Sequence, residues 1–417
     1  MTIASDAPRQ PFHLSMLFND ARYRARTIQV IAFCTLLLAA AWLVDNTIRN
    51  LAALGKDFSF DFLWSTAGYD IAPHAIDYSS TSTHARAALV GLLNTLIVAA
   101  MACVTATVLG VLAGVLRLSN NWIVARLMTI YVESFRNVPA LLWIIVVAAV
   151  MSEAMPAPNA FRGENATASM LFWDSIAVTN RGIYLPVPDF SRSPGQASSA
   201  LGSFDLNYLA ILGVLAFSFL AHRGLVKRAQ RLQSATGQRP ATWWKSLCLF
   251  ALPMITLIYA LGFHLDYPAL KGLNFTGGLQ LRNSLIALWI GLSVYTGAFI
   301  AENVRSGILA ISRGQTEAAY ALGLSAGRTM RLVILPQALR IIVPPLISQY
   351  LNITKNTSLG LAVGYMELRS TLGGITINQT GRELEGMLMM MLIYVAISLI
   401  ISSVMNIYNN RVRVKER

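Results

Sequence analysis

The chain has 417 residues, of which 55% are hydrophobic and only 13% charged, and its mean hydropathy is +0.53. A soluble protein carries about 25% charged residues, so the composition excludes a soluble globular domain and indicates an all-α polytopic membrane protein. The net charge of +13 does not imply a nucleic-acid partner, because no basic patch is interleaved with aromatic residues on a soluble stretch.

Residues 1–27 read as a basic arm carrying Arg9, Arg22, Arg24 and Arg26. The apolar run at 28–44 lacks a small-residue cleavage site, so the expectation is a retained first helix rather than a signal peptide. Residues 49–88, rich in Ser, Thr, Asp and aromatics, form an outer loop. Runs near 89–115 and 124–151 follow, each long enough to cross a bilayer, which takes about 17–25 apolar residues. Inside the second run stand Glu133 and Arg136. A charge in a span costs about 2.5–3.5 kcal/mol on insertion scales, and three residues apart these two share a helix face. They are predicted to form an intramembrane ion pair that fixes packing, a reading preferred over substrate contact. Pro139, one turn later, is the predicted hinge.

Residues 152–206 contain Pro156, Pro158, Pro186, Pro188 and Pro194 and predict irregular extracytoplasmic structure. Runs at 207–221 and 247–263 predict a helical hairpin around a basic loop from His222 to Lys245, with Trp243 and Trp244 as an interfacial anchor. This pair is expected at the periphery, facing lipid. Spans at 283–304, 338–353 and 387–407 bring the total to about eight; Pro344 and Pro345 in the second of these are tolerated when neighbours satisfy the freed carbonyls. With both termini inside, about two thirds of the 33 Lys and Arg residues fall on cytoplasmic segments, as the positive-inside bias requires.

Polar groups on the spans offer a pathway for a zwitterion. The candidates are Asn94 and Thr95, Tyr295 and Thr296, and Asn352, Lys355 and Asn356. Interhelical hydrogen bonding, worth about 1 kcal/mol in membranes, is the competing explanation for each. No phosphate-binding Gly-rich loop is present, since Gly55-Lys56 is followed by Asp57. His13, His74, His84, His222 and His264 are scattered, so neither a metal site nor a catalytic triad is expected. Cys34, Cys103 and Cys248 lie in or beside apolar runs and read as packing residues. The chain is therefore expected to be no enzyme and to hold no cofactor of its own.

The strongest signal is polar punctuation between two apolar segments. Glu317-Ala318-Ala319 begins it, Gly323 follows, and Val333-Ile334-Leu335-Pro336 ends it. Helical spacing of Ala318, Ala319 and Leu322, a permissive Gly323, a capping Ser325 and a terminating Pro336 predict a short helix, a turn and a second short helix. An ordinary amphipathic loop would use the same pattern.

Glu317, Ala318, Ala319, Gly323, Val333, Leu335 and Pro336 match, apart from Val333 where Ile is commoner, a motif that resembles the cytoplasmic coupling loop of bacterial ABC importer permeases. Tyr131 to Pro139, Tyr295 to Glu302 and Lys355 to Leu359 resemble the polar amino-acid branch, whose members carry histidine, glutamine, glutamate, arginine or opines. The resemblance covers 89–151 and 283–408, and the enlarged layout looks most like a permease of the general L-amino-acid transporters. It implies a division into an N-terminal arm, helix and periplasmic loop (1–88), a first core part (89–151), an insertion (152–282) and a second core part (283–417) with the coupling loop at 313–336. The core has five helices, to which the first helix and the inserted hairpin are additions. It also implies an inner-membrane subunit with cytoplasmic termini, an ABC ATPase dimer that binds ATP and Mg, a related second permease, a periplasmic substrate-binding protein, an amino-acid substrate and lipid contacts. An ion-coupled carrier would show an inverted repeat, which is not found, and a non-transporting scaffold would need no elbow.

Overall fold

The computed structural model describes residues 21–53, 55, 57–163, 166–193, 195–199, 202–238 and 240–412. Most of the basic arm, including Arg9, and the basic residues Arg239, Arg413, Lys415 and Arg417 lie outside them. The chain divides into two units at Asp61. The first unit is essentially one helix, α1 (Ala21–Ala53), whose apolar residues Leu36, Leu38 and Trp42 are all exposed. At about 1.5 Å per residue it is longer than the roughly 30 Å hydrocarbon layer.

The second unit is built around α2 (His84–Leu116) and α7 (Asn283–Leu309), which carry much of the buried core. Their seam is made of small residues. A Cβ on Gly110 would sit 2.5 Å from Ile300 Cβ, and one on Gly114 would sit 2.6 Å from the Ala301 carbonyl. Such close approach is how membrane helices gain contact when lipid offers no hydrophobic driving force. Among the described residues seven helices are long and apolar enough to cross a membrane, or eight when a bent pair is counted as one span.

That bent pair is the span expected at 124–151, and its break falls at Pro139, the predicted hinge. α3 (Trp122–Asn137) and α4 (Ala140–Ala149) meet at 107°. Pro139 has no amide to donate, and its ring forces Val138 into extended backbone at φ −112° and ψ 135°, so the helix ends there.

The segment expected to be irregular contains strands. β1 (Ala177–Thr179), β2 (Gly182–Leu185), β3 (Val187–Phe190), β4 (Gln196–Ser199) and β5 (Gly202–Asp205) precede the inserted helices; β6 (Phe263–Asp266), β7 (Ala269–Lys271), β8 (Asn274–Thr276) and β9 (Leu279–Arg282) follow them. β2 pairs antiparallel with β1 and β9, and β3 with β6, so the two flanking stretches close on each other. Ala177, Tyr184 and Phe275 form the small core between them. Sequence periodicity missed this because each strand is only three or four residues long, and β2 and β3 also pair with strands about 75 to 100 residues away.

Between β5 and β6 stand α5 (Leu206–Thr236) and α6 (Trp243–Ala260). The basic stretch expected as a loop from His222 is helical as far as Thr236, because Lys, Arg, Gln and Ala are good helix formers even where they are too polar to span. Gly237, at φ +72°, ends α5. Leu212, Phe217, Leu220, Leu252 and Ile255 are exposed on this hairpin.

After α7 come α8 (Arg313–Ala321), α9 (Ala326–Thr329), α10 (Leu335–Asn356) and, beyond a folded-back segment, α11 (Glu383–Val412). The folded-back residues 357–380 pack against α2. There the buried Glu367 accepts bonds from the amides of Arg369 (2.8 Å) and Ser370 (2.9 Å) and from the Tyr394 hydroxyl (3.0 Å).

Candidate functional site

The elbow between α7 and α10 follows from local rules. α8 stops at a left-handed cap in which Gly323 N–H donates to Tyr320 O (2.9 Å) and Leu324 N–H to Ala319 O (3.1 Å), satisfying two carbonyls at the helix end. Gly323 has φ +77°, as the turn expectation requires, and no atom lies within 4 Å of where its Cβ would be. Ser325 occupies the next N-cap position but makes no capping bond with its side chain.

Pro336 does not end the second helix, contrary to expectation. α9 passes through a π turn (Met330–Ile334) into α10, whose first turn holds Pro336. In the π turn Leu335 N–H reaches back to Met330 O; the wider spacing makes room for the ring, and a first-turn proline needs no amide partner. The elbow is thus one short helix joined through the glycine cap and α9 to the start of a long one. Gln337 Nε2 ties the two together through Val333 O (2.9 Å) and Gln315 Oε1 (3.3 Å).

Ala319 is buried, while Glu317 and Ala318 are exposed. Around them Tyr320, Leu322, Leu332 and Leu335 are exposed, with Leu322 at 82%; Val333 is half-buried and Pro336 exposed. Glu317 is the sole acidic residue from Arg313 to Pro336 and forms no ion pair among the described residues. The result is an exposed apolar rim around one carboxylate.

A second cluster lies where α2, α3 and α7 converge, and it corrects the expected Glu133–Arg136 pair. No ion pair joins those two among the described residues. Glu133 lies 3.6 Å from Arg117, and Arg136 lies 3.8 Å from Glu302 and 5.4 Å from the Phe299 ring. Glu302 is the hub: its carboxylate is 2.5 Å from Arg117 and 3.4 Å from Arg305. An i,i+3 pair is worth only about 0.2–0.5 kcal/mol, so partners presented by facing helices prevail. Sequence reading missed Arg117, which follows the last turn of α2; its side chain is only 8% exposed. Its position directly after an apolar span was the available signal.

The pathway candidates do not form one group. Asn94 Nδ2 donates to Pro73 O (2.8 Å) and Met366 O (2.9 Å), and Thr95 Oγ1 accepts Leu368 N–H (3.1 Å), so both are buried and hold the folded-back segment. Thr296 is buried on α7, and the half-buried Tyr295 packs on Phe299 at 5.1 Å. Asn352 and Lys355 are exposed and Asn356 is half-buried at the end of α10.

A polytopic helix bundle with a short helical elbow between two of its spans is the class of membrane protein that the fold defines. Residues 241–414 match the family described as binding-protein-dependent transport system inner membrane component. The chain is 57% identical, over 100% of both chains, to the glutamate/glutamine/aspartate/asparagine transport system permease protein BztB of Rhodobacter capsulatus. It is 39% identical to the general L-amino acid transport system permease protein AapQ of Rhizobium johnstonii, over 95% of this chain and 94% of the other. A shorter likeness, 36% over 28% of this chain and 25% of the other, links it to BztC, a second permease protein of the same Rhodobacter capsulatus system. The chain belongs to the family of amino-acid ABC transporter permeases.

Proposed function

We propose that this permease serves an ATP-driven importer and that the Glu317–Pro336 elbow receives the motion of a partner ABC ATPase dimer, where ATP and Mg bind. The observation that supports this most is the elbow itself: a short helix held at a fixed angle by a glycine cap, with an apolar rim and a lone carboxylate. When the ATPases close, a rigid α8 fixed to the long α10 moves a spanning helix with it, and the pathway changes from outward to inward opening. Ala318 allows close approach and Gly323 fixes the turn.

The substrate class we propose is acidic amino acids and their amides, on the strength of the end-to-end likeness to BztB. A related, non-identical second permease completes the pathway; BztB and BztC are two permease proteins of one system, and this chain resembles both. A substrate-binding protein delivers substrate at the periplasmic side of the inner membrane, and both termini face the cytoplasm, as the Lys and Arg bias favours. Tyr295, Thr296, Asn352, Lys355 and Asn356 remain our candidates along the pathway.

The test is uptake of radiolabelled glutamate into proteoliposomes holding the assembled transporter with its binding protein. Glu317→Lys should insert and assemble normally but lose ATP-dependent uptake. Wild-type uptake by the assembled variant, or uptake without ATP, would overturn the reading.

A further inference from the structure

The inserted hairpin carries a charge pattern that transport does not use. Between Asp205 and Asp266 the sequence has no acidic residue, yet it holds Arg223, Lys227, Arg228, Arg231, Arg239 and Lys245. From Leu206 to Ala221 α5 is uncharged, a stem of about 24 Å at 1.5 Å per residue, and the cations begin directly beyond it. α6 runs antiparallel alongside: Ser218 Oγ donates to Leu249 O (2.9 Å), and His222 Nδ1 lies 3.1 Å from Ser246 Oγ. This register brings Trp243, Trp244 and Lys245 level with the first cations of α5.

At that level Phe219, His222, Arg223, Val226 and Lys227 line an open groove of about 460 Å³ along a single face of α5. Arg223 and Lys227, one turn apart, are both exposed. The Arg223 guanidinium lies 4.5 Å from the Phe219 ring centre, and Lys245 Nζ lies 5.3 Å from that of Trp244. Among the described residues none of Arg223, Lys227, Arg228, Arg231 and Lys245 enters an ion pair.

We infer that this groove seats the headgroup of an anionic glycerophospholipid. Arg223 and Lys227 hold the phosphate, Phe219 and Val226 lie against the glycerol and upper acyl chain, and Trp243 and Trp244 set the depth at the headgroup zone. Charge complementarity selects the occupant. Uncompensated cations that crown an exposed apolar stem match a ligand with an anionic head and an apolar tail, and each basic residue near such a surface contributes about 1 kcal/mol. Placing this lipid in the cytoplasmic leaflet rests on the orientation proposed above; the seat itself does not.

The test uses the assembled transporter in nanodiscs of phosphatidylcholine with a minority of phosphatidylglycerol in both leaflets, so orientation does not enter. After mild detergent extraction, lipid retained per complex is counted by mass spectrometry. R223Q/K227Q should retain about thirtyfold less phosphatidylglycerol, whereas the charge-keeping R223K/K227R and the strand-region control R192Q/K271Q should match wild type. Equal retention by R223Q/K227Q, equal loss of both lipids, or displacement by millimolar inorganic phosphate would overturn the proposal. Should R223Q/K227Q fail to assemble, Lys227→Cys in a background without Cys34, Cys103 and Cys248 decides. An aqueous thiol reagent should label it more slowly with phosphatidylglycerol present than in phosphatidylcholine alone, and equal rates would refute the seat.

Discussion

The carboxylate of Glu302 lies 2.5 Å from the guanidinium of Arg117 and joins the end of α2 to α7 beneath the glycine seam. Two further arginines, Arg136 and Arg305, approach the same carboxylate. Removing Glu302 therefore leaves three cations with only the half-exposed Glu133 near them. Breaking a buried pair costs about 3–5 kcal/mol; with Glu302 roughly a quarter exposed, about 1–3 kcal/mol is expected for Glu302→Gln. Glu133→Gln should cost under about 1 kcal/mol. Thermal unfolding in detergent measures both, and a double-mutant cycle should show coupling for Arg117 with Glu302 and additivity for Glu133 with Arg136.

Gly323→Val places a β-branched residue at φ +77° with no atom close enough to clash. The cost is backbone strain alone, roughly 1–2 kcal/mol, taken up by the elbow and not by the bundle. The variant is expected to fold and assemble while ATPase activity loses its stimulation by the substrate-loaded binding protein. Gly323→Asn, better tolerated in left-handed backbone, should keep most of it.

At the seam the opposite holds. Gly114→Val meets the Ala301 carbonyl, backbone that has no room to move aside, and overpacking of this kind costs about 1–3 kcal/mol or more. A lower melting temperature and poorer assembly should follow. Gly224→Ala, inside α5 with nothing within 4 Å, is the control and should raise stability by about 0.5–1 kcal/mol instead of lowering it.

Glu367 gives a pH dependence. Burial raises its carboxyl above the ordinary carboxylate range, against the opposing bonds from the Arg369 and Ser370 amides and from the Tyr394 and Ser370 hydroxyls. A raised value in the folded state means its contribution to stability is complete below the unfolded pKa and is lost as pH rises through the folded one. Amide exchange across 357–380 should thus be slower, after correction for intrinsic rates, at mildly acid pH than at neutral pH. Glu367→Gln should flatten that difference.

The spans and the elbow were legible in the sequence because apolar run length and a left-handed glycine are local signals. Gly323 could be read from its neighbours alone. The partners of Glu133 and Arg136 could not, since they belong to α2 and α7 and depend on how three helix ends converge. The same holds for Asn94 and Thr95, whose buried bonds go to residues about 270 positions away. Pro336 misled because a π turn, invisible to spacing rules, gives its ring room.

The pairing of β3 with β6 has one more consequence. Phe190 faces Phe263, and just beyond them Ser191 N–H reaches Gly262 O (3.1 Å) and Arg192 N–H reaches Leu261 O (3.0 Å). The chain therefore departs for the inserted hairpin and returns at facing positions of one ladder, about 5 Å apart as such partners are. The hairpin is a detachable cassette: a tight reverse turn in its place would reconnect the ladder without moving either end. Gain or loss of the whole inserted hairpin would leave both ends of that ladder where they stand.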